Sequence, residues 1–285
     1  MKMIKIFADS TCDLSKKLTE RYNIGIIPLH IVMDGKEYRD GLEITPEEIF
    51  KWADANKTTP KTSAISIEDF ESIVKPEIEA GNEVIVFSIS SEMSTTNNIM
   101  KLTAEDMGAA DKISVIDSRN LSTGIGLLVL AAADLAAAGK SREEIVKEID
   151  RLIPLTRASF TVDILTYLHR GGRCSAVAAL AGSVLKLHPK IVVENGKMRP
   201  DKKYRGKNSK AIMEYVNDLT PELKKARKER VFITHTCRER EIVEEVRAFL
   251  EGLNYFDEVL ESPAGGVISS HCGPGTLGVL FIAGE

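Results

Sequence analysis

The run Val84-Ile85-Val86-Phe87 carries no polar side chain, so it reads as a strand buried on both faces. Such a strand needs helices on either side of its sheet, and residues 1–150 supply them by alternation. Lys2–Ala8 reads as a strand, Ser15–Tyr22 as a helix and Ile24–Met33 as a strand, followed by the hairpin signal Asp34-Gly35. Thr45-Pro46-Glu47-Glu48 starts a helix with a capping hydroxyl, a proline at the first helical position and acids behind it. Lys57–Ser66 reads as a polar loop, and Ser66 with Asp69 opens a helix to Ala80 that Gly81 closes. After the strand at 83–88 and a helix from Asn97 come a strand at Lys112–Ile116 and an Ala/Leu helix at Thr123–Ala138. Ser141-x-x-Glu144 opens one more helix, which Pro154 ends. Repeated strand–helix–strand units imply right-handed crossovers and a mostly parallel sheet.

Beyond Thr156 the pattern changes. Ser159–Val162 reads as a strand and Ile164–His169 as a short helix stopped by Gly171-Gly172. Ser175–Leu187 reads as a helix of Ala, Val, Leu and Gly, whose small residues leave space for an alkyl chain or serve close packing equally well. Ile191–Val193 and Met198–Tyr204 flank Asn195-Gly196, the strongest hairpin signal in the chain. Ser209–Leu219, Val231–Thr236, Glu239–Leu250, Glu258–Glu261 and Val279–Ala283 read as helix, strand, helix, strand and strand. The charge run Lys224–Arg230 reads as a solvated helix face, and His271 as part of a tight turn. The expected fold class is α/β: an N-terminal mostly parallel βαβ domain at 1–155 and a C-terminal α+β domain at 156–285, with a ligand buried between them.

In parallel sheets ligands sit beyond the carboxyl ends of the strands. Three of the expected strands end in Asp9-Ser10-Thr11, Ser88–Ser94 and Asp117-Ser118, so hydroxyls should converge on one edge, with the 58–66 loop beside them. A hydroxyl-rich turn entering a helix aims free N–H groups and O–H donors at one spot, which favours an anion. One helix cap needs only one oxygen, and Ser88–Thr96 holds more than that.

Other chemistries fit less well. A net charge of −4 argues against nucleic acid as the main partner. Cys12, Cys174, Cys237 and Cys272 are scattered, which gives neither a disulfide framework nor a zinc pattern and suits a reducing compartment. Pairs such as His235/Cys237 and His271/Cys272 lack a second spaced pair, so no metal is expected. The charged start is no signal peptide, and the longest apolar stretch, Ile125–Ala133, is too short to cross a bilayer, so a cytoplasmic protein is expected. Gly273-x-Gly275-x-x-Gly278 leads into a terminal strand rather than a helix, which discounts a dinucleotide fold, and no cofactor is expected. A serine hydrolase or acyltransferase using Ser94 and His271 is the rival reading, though no nucleophile elbow is present. A binding protein for another small amphiphile is a third.

Several motifs nevertheless fall in a recognisable order: Asp9-Ser10-Thr11-Cys12-Asp13-Leu14, Pro28-Leu29 with Val32, Thr62-Ser63, Ser90-Ser91-x-x-Ser94, Asp117-Ser118, Leu168-x-x-Gly171-Gly172-Arg173 and His271-x-Gly273-Pro274-Gly275. Along its whole length the chain resembles the DegV family, bacterial fatty-acid-binding proteins that serve fatty acid kinase. The resemblance implies a non-catalytic carrier that holds a long-chain fatty acid between two domains while a separate kinase protein phosphorylates the carboxyl. Its expected partners are the fatty acid and that kinase, with transient membrane contact. It implies Thr62 and Ser94 as carboxylate ligands, with Ser63 beside them and Arg173 and His271 completing the head-group network. Thr95 stands where the family commonly has Gly, Ala64 where it has Gln, and His188-Pro189 where it has Lys-Pro.

Overall fold

A computed structural model describes residues 3–174, 187–236 and 239–284. Strands β1 (Ile4–Asp9), β2 (Ile24–Ile27), β3 (His30–Met33), β4 (Lys36–Arg39), β5 (Lys61–Ser63), β6 (Glu83–Ser88) and β7 (Ile113–Asp117) precede Thr156. Among them run helices α1 (Lys16–Tyr22), α2 (Pro46–Asn56), α3 (Ile67–Glu79), α4 (Thr96–Asp106), α5 (Thr123–Ala137) and α6 (Arg142–Leu152). After them come β8 (Thr156–Thr161), β9 (Leu187–Glu194), β10 (Lys197–Arg205), β11 (Ala226–His235), β12 (Glu258–Pro263) and β13 (Leu277–Ala283). The accompanying helices are α7 (Leu165–Gly171), α8 (Asn208–Asp218), α9 (Thr220–Leu223), α10 (Arg240–Gly252) and α11 (Gly266–Cys272). No described helix is long and apolar enough to cross a membrane.

The parallel sheet has the order β2-β1-β6-β7. Val84, Ile85, Val86 and Phe87 are all completely buried. The pleat sends alternate side chains to opposite faces. Ile6, Ala8, Ile85 and Phe87 therefore meet α5 and α6, while Phe7, Val84 and Val86 meet α3 and α4. Thr45 and Ser141 close reciprocal capping boxes at the starts of α2 and α6.

Two expectations about this half need correction. Ile24–Met33 is not one strand: β2 ends before Pro28, which has no N–H for a ladder, and β3 joins a separate antiparallel sheet of order β4-β3-β5. The supposed loop at 57–66 contains β5, which pairs with β3 through Ile31 opposite Thr62. Lys61-Thr62-Ser63 is too short and polar to show apolar alternation.

The second sheet has the order β10-β9-β8-β13-β11-β12, antiparallel except for β11 beside β12. One face packs on α8 and α10 through Tyr215, Ile212, Val243 and Val246. The other face, through Ala158, Phe160, Phe232 and Leu280, shares a core with α5 and the parallel sheet. Every residue of α5 from Thr123 to Leu130 is buried, because the helix lies between two sheets. A helix enclosed in this way is apolar all round, as its composition shows.

The mixed α/β class with a parallel sheet and a separate mixed sheet stands as expected. The Lys224–Arg230 run is not a helix face, however. From Ala226 it is the start of β11, where Arg227 pairs with Glu148 and Arg230 with Asp134 and Glu258. Arg227 and Arg230 thus reach across to α6 and α5, while Lys224, Lys225, Lys228 and Glu229 are exposed. His271 is not in a tight turn but in the last turn of α11. Gly265 at its cap, Gly266 and the β-branched Val267 and Ile268 disguise that helix in the sequence, and burial of nearly every residue in it overrides the weak propensity. Of the predicted helix at 175–187, residues 175–186 lie outside the described residues, and Leu187 opens β9.

Candidate functional site

Because β1, β6 and β7 are parallel neighbours, Asp9, Ser88 and Asp117 end side by side. Most hydroxyls gathered at this edge hold the loops themselves. Buried Asp9 accepts from the Ile89 amide (2.7 Å), the Thr11 amide (3.0 Å) and the Thr11 hydroxyl. Burial pushes its carboxyl up to about 6 against those bonds. Ser91 donates to Asp117 through its amide (3.2 Å) and its hydroxyl (2.6 Å), and Asn97 donates to the Ser88 hydroxyl (2.9 Å). Ser90 donates to the Gly196 carbonyl at 2.7 Å, which ties the 88–97 loop to the β9–β10 hairpin. Ser94 accepts from the Thr96 amide (3.3 Å) and shares a hydrogen bond with the Thr96 hydroxyl (2.9 Å).

Past these loops lies a cavity of about 520 Å³ whose wall includes Thr62, Ser63, Ser94, Arg173 and His271. Thr62 comes from β5, Ser94 from the turn before α4, Arg173 from the turn after α7 and His271 from the end of α11. The His271 Nε2 and the Thr62 hydroxyl are hydrogen-bonded at 2.8 Å. Its Nδ1 is closed off from solvent and finds no partner among the described residues. Burial, and after it the Arg173 charge, depress the imidazole from 6.5 to about 4, so it is neutral at pH 7. Ser63 turns its hydroxyl to Glu37 at 3.0 Å, as expected of a strand neighbour that points away from Thr62.

The Gly171-Gly172 pair has a distinct reason at each position. A Cβ on Gly171 would lie 2.3 Å from the His271 Nδ1, so only glycine lets α7 pass the ring. Gly172 takes the left-handed conformation (φ 68°) that ends α7 and turns the chain outward to Arg173. Arg173 is exposed and donates to the Gly171 carbonyl at 2.8 Å.

Apolar side chains complete the enclosure, among them Leu29, Ile89, Val267 and Ile268. A second, narrow cavity of about 20 Å³ shares Leu121, Ile268 and Cys272 with the first and is lined further by Phe160 and Leu280 together with Ser122, Thr234 and Thr276. The larger cavity thus sets hydroxyls and an imidazole beside apolar side chains, which suits an amphiphile with an anionic head. No hydrogen bond joins Ser94 to His271 among the described residues, and no carboxylate there orients the imidazole.

Two features of the site were not anticipated. The hairpin tip at Asn195-Gly196 was legible as a turn, but nothing local said that it rests on Ser90 and Arg119. Asp13 and Asp40 hold the start of α11 from turns more than 200 residues away in sequence, and no spacing rule reports such a contact.

The family model described as "Uncharacterised protein, DegV family" matches residues 3–284. A DegV domain-containing protein of Caldanaerobacter subterraneus is 34% identical over 283 residues, covering 99% of each chain. The structure of a fatty-acid-binding DegV family protein from Thermus thermophilus superposes with a TM-score of 0.89 at 30% identity, covering 99% of each chain. A stearic-acid-binding protein from Eubacterium ventriosum gives a TM-score of 0.85 at 30% identity, covering 99% of this chain and 98% of that one.

Proposed function

Because the chain belongs to the DegV family, we propose that it is a carrier that binds a long-chain fatty acid and presents it to a separate fatty acid kinase. The carboxylate would lie between Ser94 and the Thr62–His271 pair, with Arg173 at the rim and Ser63 in the wall beside them. The observation that carries this reading is the cavity itself, with hydroxyl donors and a neutral imidazole beside the apolar side chains of Leu29, Ile89, Val267 and Ile268. A neutral imidazole that donates from Nε2 to the Thr62 oxygen leaves the Thr62 O–H free to donate to a carboxylate, without placing a second full charge in the wall. Burying the tail of a C16–C18 acid yields on the order of 10 kcal/mol at about 0.8 kcal/mol per CH₂. Each hydroxyl-to-carboxylate bond adds about 1.5–3 kcal/mol, so the tail supplies affinity and the hydroxyls fix its direction.

This reading takes the protein to be a non-catalytic, cytoplasmic carrier with domains at 1–155 and 156–285, in transient contact with membranes where it collects or delivers the acid. Its product at the kinase would be an acyl phosphate. A hydrolase using Ser94 and His271 is disfavoured because neither residue bonds the other and no acid orients the ring. The test is extraction and mass spectrometry of the purified protein. About one equivalent of a long-chain fatty acid per chain is expected. Recovery of only traces, or of a non-lipid ligand, would overturn the reading, as would ester turnover abolished by Ser94→Ala.

A further inference from the structure

Helix α11 follows β12 and precedes β13, both strands of the second sheet, and it packs on α7 and, across to the first half, on α2, β3 and β5. Val267 sits in the core formed by Ile31, Ile49 and Phe50. Its start is held by two buried carboxylates from turns of the first half. The Gly265 amide donates to the Asp13 Oδ1 (2.8 Å) and the Gly266 amide to the Asp40 Oδ1 (2.8 Å), with the Val267 amide also on Asp40. The second oxygen of each carboxylate accepts a hydroxyl: Ser122 on Asp13 at 2.5 Å and Ser10 on Asp40 at 2.8 Å.

The fit leaves no slack. A Cβ on Gly266 would lie 2.7 Å from the Asp40 Oδ1 and 2.6 Å from the Ile31 Cδ1. A serine at the helix start would satisfy one of these amides without burying charge, whereas burial drives both carboxyls above their usual range. What the carboxylates add is two-point direction, because each joins the helix to a different turn of the parallel sheet by charge-assisted bonds. The helix is one rigid piece of about 9 Å, so its start and its end move together. Its end carries His271, hydrogen-bonded to Thr62.

We propose that Asp13 and Asp40 are positioning residues that clamp the start of α11 and thereby aim His271 at Thr62 and the head group. The head-group half of this statement rests on the fatty-acid reading above; the clamp itself does not. The experiment uses ligand-free protein with ¹⁵N-labelled histidine, stearate titration and thermal melting on Asp40→Ala, Asp40→Asn and Ser122→Ala. Asp40→Ala should move the His271 ring-nitrogen resonances and weaken stearate binding about tenfold. Asp40→Asn keeps an accepting oxygen and should restore both. Leu250→Ala, a core change in α10, should lower the melting temperature and leave the His271 resonances in place, which separates aiming from general destabilisation. If Asp40→Ala fails to fold, Ser122→Ala, which frees only one oxygen of Asp13, should move the same resonances in the same direction. Unmoved resonances in a folded Asp40→Ala or Ser122→Ala protein overturn the clamp, as does an Asn variant no better than Ala. Resonances that move without loss of stearate affinity support the clamp and remove His271 from the head-group site.

Discussion

His271 illustrates how a single residue links the site to the solvent. Its folded value near 4 lies below the ordinary 6.5, so its neutral form stabilises the fold fully above pH 6.5. That contribution, about 3 kcal/mol, is lost as pH falls toward 4. Asp9 acts in the opposite sense: raised to about 6, it favours the fold below its ordinary 3.8 and loses that contribution as pH rises through 6. The difference in melting temperature between the parent and His271→Gln, followed from pH 7.5 to 4.5, isolates the histidine and should hold down to about pH 6.5 and then shrink on further acidification. A constant difference would show that the ring is not held neutral. At the hydroxyls, Ser94→Ala and Thr62→Ala should each cost about ten- to a hundredfold in fatty-acid affinity, the value of one charge-assisted hydrogen bond. The tail would remain buried, so binding should weaken rather than vanish in an isothermal titration. Thr62, Ser94, Arg173 and His271 could be singled out because each sits in a short motif, and one cavity brings them together; the contacts of Asp13, though it too sits in such a motif, and of Asp40 could not, because an amide–carboxylate contact across the fold leaves no local mark.

Among the elements, the β9–β10 hairpin is the part whose geometry goes furthest beyond its sequence signal. Gly196 has φ 81° and its Cβ position lies 2.6 Å from the Ser90 hydroxyl, so the turn both needs glycine and touches the loop that carries Ser94. Arg119 and the Glu92–Lys197 pair complete the attachment. Gly196→Ala should therefore destabilise the protein by about 1 kcal/mol or more and speed fatty-acid release, measured by stopped-flow transfer to vesicles. Release at the parent rate would mean that the hairpin does not restrain the loop. Periodicity reported the long elements well: β6, α5 and α6 fall within a residue or two of expectation. It failed where packing outweighed local preference. β5 is too polar to alternate, α11 too rich in glycine to look helical, and Lys224–Arg230 too charged to look like the start of a strand.

For the whole molecule the governing feature is α5, which belongs equally to the cores of both sheets. Shared burial of this kind couples their unfolding, so denaturation should be one cooperative event. The single tryptophan, Trp52, lies on α2, and its fluorescence should follow the same transition as far-UV circular dichroism. Two separated transitions would contradict the shared core. Leu128→Ala, at a fully buried position in α5, should shift the entire transition by about 2–5 kcal/mol. The seat of α11 has a consequence for how such chains can recombine. A chimera joining residues 1–155 of one relative to 156–285 of another would press a foreign helix into a native socket of Asp13, Asp40, Ile31 and Ile49. The halves are therefore not interchangeable modules, and viable hybrids should be those that inherit residues 265–272 together with the β3, α2 and Asp13 surfaces that receive them.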